Sequence, residues 1–151
     1  MSAQPRQIRN IALGFMLRGD RVLVSFGEDR LRGSRFCRAV GGGIEFGESA
    51  EQALRREFRE ELAVELEAVR AIGVLENLFE YEGRQGHEIV HLFMIESVQL
   101  SETELDQPLR IRDTGEAAGW LPISEFDEAS LPLYPQECQQ ILLAEWRRAS
   151  S

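Results

Sequence analysis

Three glutamates, Glu57, Glu60 and Glu61, stand at i, i+3 and i+4 of a stretch with helical periodicity, so their carboxylates are neighbours. Like charges at that spacing repel, and the cluster costs stability unless something offsets it. One account is a solvated acidic face tempered by Arg55, Arg56 and Arg59. The other is a divalent-cation site, because hard cations such as magnesium take oxygen ligands from carboxylates together with substrate phosphates. Immediately upstream runs Gly41-Gly42-Gly43. Glycine lets backbone approach a ligand closely, and open backbone beside carboxylates is what a phosphate and metal site needs. Metal-assisted attack of water on a phosphate is the chemistry these residues support.

Other residue types add to this chemistry or drop out of it. Gly27 to Arg38, read as a loop, carries Arg30, Arg32, Arg35 and Arg38 against only Glu28 and Asp29, and leads into the glycine run. Arg35 and Arg38 are the candidates for holding substrate phosphate, since guanidinium forks bind phosphate bidentately. Glu88 falls in an apolar strand, where a carboxylate is seldom buried without a partner or a purpose; it is a candidate for substrate recognition. His87 and His91 lie on one side of that strand but about 13 Å apart, too far for one metal. No serine–histidine pair, reactive thiol setting or Walker loop supports covalent or P-loop chemistry.

Several elements must position these groups. Ser49, with Gln52 three residues on, is a capping-box signature that starts a helix. Ala50, Ala53, Leu54, Phe58 and Leu62 give that helix one apolar stripe. Ile8–Leu17 and Arg21–Phe26 read as a hairpin around Arg18-Gly19-Asp20. Ala71–Tyr81 and His87–Val98 read as a second hairpin, the latter strand apolar on both faces. Ser101–Gly119 is polar and irregular, and Trp120-Leu121 opens a short strand that Pro122 ends. A short helix follows over Ser124–Ala129, then a linker Leu131–Pro135, and a last helix over Gln136–Arg148 with Cys138, Ile141, Leu142 and Trp146 on one stripe. Strands on both sides of a central helix, with a helix at the end, imply a mixed sheet covered by helices on both faces.

The acidic helix and its glycine run together resemble the Nudix box: Gly42, five residues, Glu48, seven residues, Arg56-Glu57-Phe58, one residue, Glu60-Glu61, one residue, then Ala63-Val64. Ala63 departs from the pattern, which usually has glycine there to close the helix in the left-handed region. The resemblance implies an α/β class fold, an α/β/α sandwich with a mixed β-sheet. It implies that Glu57, Glu60 and Glu61 bind Mg2+ or Mn2+, with one of them free to act as a base, and that Arg56, with Glu48, orients them. It implies a further ligand in the carbonyl of Gly41, and an acid recruited from the loop before the tryptophan, where Glu116 comes first and Asp113 second. Glu57, Glu60, Arg56 and Glu116 are therefore the expected catalytic set, with Gly42 and Glu48 as structural positions of the box. The implied reaction is hydrolysis of the diphosphate linkage in a nucleoside diphosphate joined to another group. Two alternatives stand beside it: a non-catalytic nucleotide sensor on the same fold, which would be expected to lose box glutamates, and a prenyl diphosphate isomerase, for which Cys37 is the only nearby thiol.

The 151 residues suit one domain with a real core. A net charge of −9 argues against a general nucleic-acid binder, which needs a basic stripe. All 17 basic residues are arginine, so any phosphate bound here meets guanidinium. Two cysteines are too few for a disulfide framework, and no apolar leader or membrane-length run is present, so a cytoplasmic setting is expected. The expected partner is a small nucleotide, with a homodimer left open.

Overall fold

The computed structural model describes residues 6–126 and 130–150. Two sheets build it. In the first, β1 (Arg9–Phe15) lies between β5 (Val40–Gly43) and β7 (Arg84–Glu96), with β6 (Ala68–Tyr81) at the far edge. β1 and β7 are parallel, and the other pairs are antiparallel. The second sheet runs β10 (Leu133–Tyr134), β4 (Ser34–Arg38), β3 (Arg21–Asp29), β9 (Ala117–Pro122), β8 (Leu109–Arg110), with β2 (Leu17–Arg18) also on β3. Helix α1 (Ala50–Leu62) carries the glutamates, α2 (Val98–Ser101) is one turn, and α3 (Gln136–Ser150) closes the described chain.

β1 is the wall that both long helices share. Ile11, Leu13 and Phe15 enter one core with Cys138 and Leu142 of α3. Ala12 enters the other with Ala53, Leu54 and Phe58 of α1. Gly14 continues that face, because a β-carbon there would meet Phe58 and Leu54 at 3.3 and 3.4 Å. Phe58 is fully buried, and truncating such a side chain to alanine costs about 3–5 kcal/mol. This is the α/β/α arrangement expected, built from two sheets where one was expected. No helix among the described residues is long and apolar enough to cross a membrane.

The first hairpin is a correction. β1 does not pair along its length with β3; only Leu17-Arg18 does, around Gly19 at φ 62°. A strand buried on both faces belongs in the middle of a sheet, and β1 takes that place between β5 and β7. The arginine-rich loop is the second correction. β3 runs on to Asp29 and pairs with β4, leaving a tight turn over residues 30–33. Gly27 makes this pairing possible: it faces Phe36, whose ring lies 2.5 Å from where a β-carbon would stand. The glycine run itself is a strand, and part of the expected linker forms β10 parallel to β4. Of the short helix expected over Ser124–Ala129, Ile123–Glu125 makes a single 3-10 turn and residues 127–129 lie outside the described residues.

Candidate functional site

Helix α1 begins with the expected capping box. The Gln52 amide donates to Ser49 Oγ at 3.1 Å, and the Ser49 amide donates to Gln52 Oε1 at 2.8 Å. It ends at Ala63, with φ 58° and ψ 39°, whose amide turns back to the Arg59 carbonyl at 3.1 Å. That fixed start and stop set the rotation of the helix, so Glu57 faces β5. Its carboxyl carbon lies 2.6 Å from where a β-carbon on Gly42 would be. Gly41 has φ 154°, and a β-carbon on it would collide with the Ala12 carbonyl of β1. Both glycines therefore serve close packing between β1, β5 and α1.

Arg56 organises the cluster. Its Nε and Nη2 grip Glu48 at 2.7 and 2.9 Å, Nη1 donates to Glu57 at 2.9 Å and Glu60 at 3.3 Å, and Nη2 also reaches the Gly43 carbonyl at 2.9 Å. These bonds hold the Glu48 carboxyl down at about 2, first through the Arg56 hydrogen bond and then through the Glu45 amide. The same partners raise Arg56 above its ordinary value. All the donors of Arg56 point at its own chain, which makes it a brace.

Glu61 is the opposite case. Burial, then the charge of Glu57 and a hydrogen bond with it, then the charges of Asp113 and Glu116, push Glu61 up to about 8. The acid loop is docked on the helix: the Arg112 amide donates to the Glu61 carbonyl at 3.0 Å. The loop is also closed on itself, by Ile111 N to Glu116 O at 2.9 Å and Gly115 N to Ile111 O at 2.8 Å. Within the stretch read as polar and irregular it is a compact turn, and it delivers Asp113 and Glu116 toward the helix. The donor set is carboxylate and carbonyl oxygen throughout, the kind a hard divalent cation takes. A Glu61 that keeps its proton beside other carboxylates is a place that positive charge would relieve. Among the described residues, no three acidic, histidine or cysteine side chains are arranged to hold an ion as they stand. Glu57 and Glu60 are instead turned to Arg56.

Beside this cluster lies a cleft of about 580 Å3, lined among others by Arg9, Arg38, Phe36, Tyr81, Glu88, Glu116 and Tyr134. Glu116 is common to both regions. Phe36 packs edge-on against Tyr81 at 6.0 Å between ring centroids and lies 5.4 Å from Tyr134. Glu88 is 4% exposed, 3.9 Å from Arg9 and 3.7 Å from Arg38, with the Asn77 amide donating at 3.4 Å. The two arginines expected to act together are separated. Arg38 lines the cleft with Phe36, whereas Arg35 is exposed and absent from its lining, because residues three apart on a strand face opposite ways. Cys37, the thiol the isomerase alternative requires, is fully buried, and burial pushes it up to about 12. It is a core residue. Arg9, Asn77 and Tyr134 escaped the sequence reading. The signal that finds Arg9 is the parallel register that sets it opposite Glu88.

An α/β sandwich with a glycine strand, an arginine-braced acidic helix and an adjoining cleft defines a recognisable class. The chain belongs to the NUDIX family: the pattern of the NUDIX domain matches residues 8–140. It is 34% identical over 86 residues to the Mycobacterium tuberculosis (strain CDC 1551 / Oshkosh) protein named "Putative mutator protein MutT4", a match covering 56% of this chain and 32% of that protein. The chain thus accounts for about a third of that relative's length. Among solved structures it resembles the MutT NUDIX hydrolase from Burkholderia pseudomallei, with a TM-score of 0.62, 18% identity and coverage of 91% and 98% of the two chains. It likewise resembles a NUDIX hydrolase from Nitrosomonas europaea, with a TM-score of 0.62, 20% identity and coverage of 95% and 90%. At those identities the likeness is one of fold.

Proposed function

We propose that this protein is a metal-dependent pyrophosphohydrolase that cleaves the diphosphate linkage of a nucleoside diphosphate derivative by attack of water. The observation that carries the proposal is the Arg56 brace, which holds Glu48, Glu57 and Glu60 and the Gly43 carbonyl at one place. Family membership and the hydrolase names of structural relatives support the reaction class. Glu57, Glu60 and Glu61, joined by Glu116 and the Gly41 carbonyl, would hold Mg2+ or Mn2+. The ion would supply charge neutralisation on the diphosphate and an acidified water.

The chain's own residues supply the rest. Arg56 keeps the helix carboxylates in register by pairing with them. Asp113 and Glu116 are close enough to act on Glu61, so a proton taken from water has a carboxylate acceptor beside the helix. Glu116 suits that duty better than Glu88, because Glu116 belongs electrostatically to the helix cluster while Glu88 is committed to arginines. The cleft, with its aromatic side chains and Glu88, receives the nucleotide and accounts for recognition. The test is a phosphate-release screen over nucleoside diphosphate derivatives with magnesium or manganese, run also with the Glu116→Gln protein. Turnover that needs the cation and falls in the variant is expected. Turnover undiminished in excess chelator would overturn the mechanism, and silence across the screen would overturn the activity.

A further inference from the structure

Arg56 has no donor left for a substrate, since its guanidinium is spent on Glu48, Glu57, Glu60 and the Gly43 carbonyl. Any guanidinium that grips a diphosphate here, beside the ion, must therefore come from elsewhere. Three arginines line the cleft: Arg9, Arg32 and Arg38. Arg32 is held between two carboxylates, Asp29 at 4.0 Å and Glu80 at 3.7 Å, so its charge is already matched. Arg9 and Arg38 differ. They share a single carboxylate, Glu88, and approach it only at 3.9 and 3.7 Å. Among the described residues, neither guanidinium donates a hydrogen bond.

A carboxylate as buried as Glu88 needs opposite charge nearby. One arginine would meet that need. Two leave one positive charge in surplus around Glu88 itself, in a cleft that Asp29, Glu80, Glu116 and Glu137 also line, and their side chains are 61% and 36% exposed and keep their N–H groups for a ligand. The position of Arg9 is specific. Its Nη2 lies 3.4 Å from where a β-carbon on Gly43 would be, while the Gly43 carbonyl accepts from Arg56. Gly43 is therefore the point where the catalytic brace and the cleft arginines meet, and Arg9 stands between the acidic helix and Glu88.

We infer that Arg9 and Arg38, anchored side by side on buried Glu88, form the guanidinium pair that grips the diphosphate of the substrate as it passes from the cleft to the acidic helix. The assignment rests on the hydrolase reading for its ligand, yet it is testable without turnover. The probe is inorganic pyrophosphate, titrated by amide NMR into the metal-free protein in chelator. Wild-type protein and Arg35→Ala, on the other face of β4, bind alike, whereas Arg9→Ala and Arg38→Ala each bind at least about tenfold more weakly, the scale of losing a charge-assisted hydrogen bond. Both variants keep a melting temperature close to wild type, because each leaves buried Glu88 one guanidinium partner. A nucleoside without phosphate binds wild type and Arg9→Ala equally. Binding of pyrophosphate unchanged in Arg9→Ala, or lost equally in Arg35→Ala, overturns the pair. The two readings fail separately: a silent hydrolysis screen with pyrophosphate binding lost in Arg9→Ala removes the activity and keeps the anion site. Turnover with an unaltered KM in Arg9→Ala keeps the activity and removes the pair.

Discussion

The carboxyl carbon of Glu57 occupies the space beside Gly42 that a β-carbon would fill, at 2.6 Å. Helix and strand are thus in contact through the absence of one methyl group. Gly42→Ala would push the Glu57 carboxylate away from Arg56. The obstacle is the end of a flexible side chain, so the fold adjusts cheaply while the site does not. Activity is expected to fall about a hundredfold, the scale of a misplacement of about 1 Å, with a melting temperature close to wild type. A parallel loss of stability and rate would show that Gly42 serves the fold alone.

Glu60→Gln keeps the shape of the helix face and removes one charge. Loss of an electrostatic group at a phosphoryl site costs about a hundredfold or more in turnover. Raising the magnesium concentration should recover part of that loss if Glu60 holds the ion. Kinetics against metal concentration make the comparison, and an unchanged metal dependence would assign Glu60 to the Arg56 brace only.

Glu61 makes a pH prediction with a definite sign. Its carboxyl rises from the ordinary 4.5 to about 8 in the folded chain. Between those values the folded state holds a proton that the unfolded state has released, so stability falls as pH rises through the window. In chelator, the melting temperature should decline from pH 5 to pH 8, and Glu61→Gln should flatten that slope. Glu48 acts in the opposite sense. Its folded value of about 2 lies below 4.5, so its contribution is present above pH 4.5 and disappears as pH falls toward 2.

Ala63 sits at φ 58°, where an alanine costs about 1–2 kcal/mol and glycine costs nothing sterically. Ala63→Gly should raise stability by about 0.5–1 kcal/mol after the added freedom of the unfolded chain is subtracted. Turnover should stay near wild type, since no charged position of the helix moves. Denaturant unfolding and a rate measurement together check it, and a large gain in rate would mean that the native helix end impairs the site.

What was legible in the sequence was what is local. Glu48, Arg56, Glu57, Glu60 and Glu61 lie within one helix and its entry turn, so 3.6-residue periodicity and capping rules place them without knowledge of the fold. Arg9 and Glu88 touch because β1 runs parallel to β7 in one particular register, and no local rule supplies a register. The same limit explains Arg35 and Arg38. As loop residues they read as partners; once Gly27 accommodates Phe36 and the segment becomes a strand, their spacing sends them to opposite faces. The second sheet was missed because the chain pairs with β3 only at Leu17-Arg18, while β1, which ends at Phe15, belongs to the other sheet.

β1 offers alternate side chains to two cores, Ile11, Leu13 and Phe15 to one and Ala12 with Gly14 to the other. The strand therefore has a parity. Substitutions within it change one contact at a time, but inserting or deleting a single residue would trade its two faces, carrying phenylalanine toward α1 and emptying the space beside α3. The same shift would unseat Leu13 from Gly41 and Arg9 from Glu88. In this chain, length in β1 is a more stringent requirement than residue identity, and a library that varies the strand should hold its length constant.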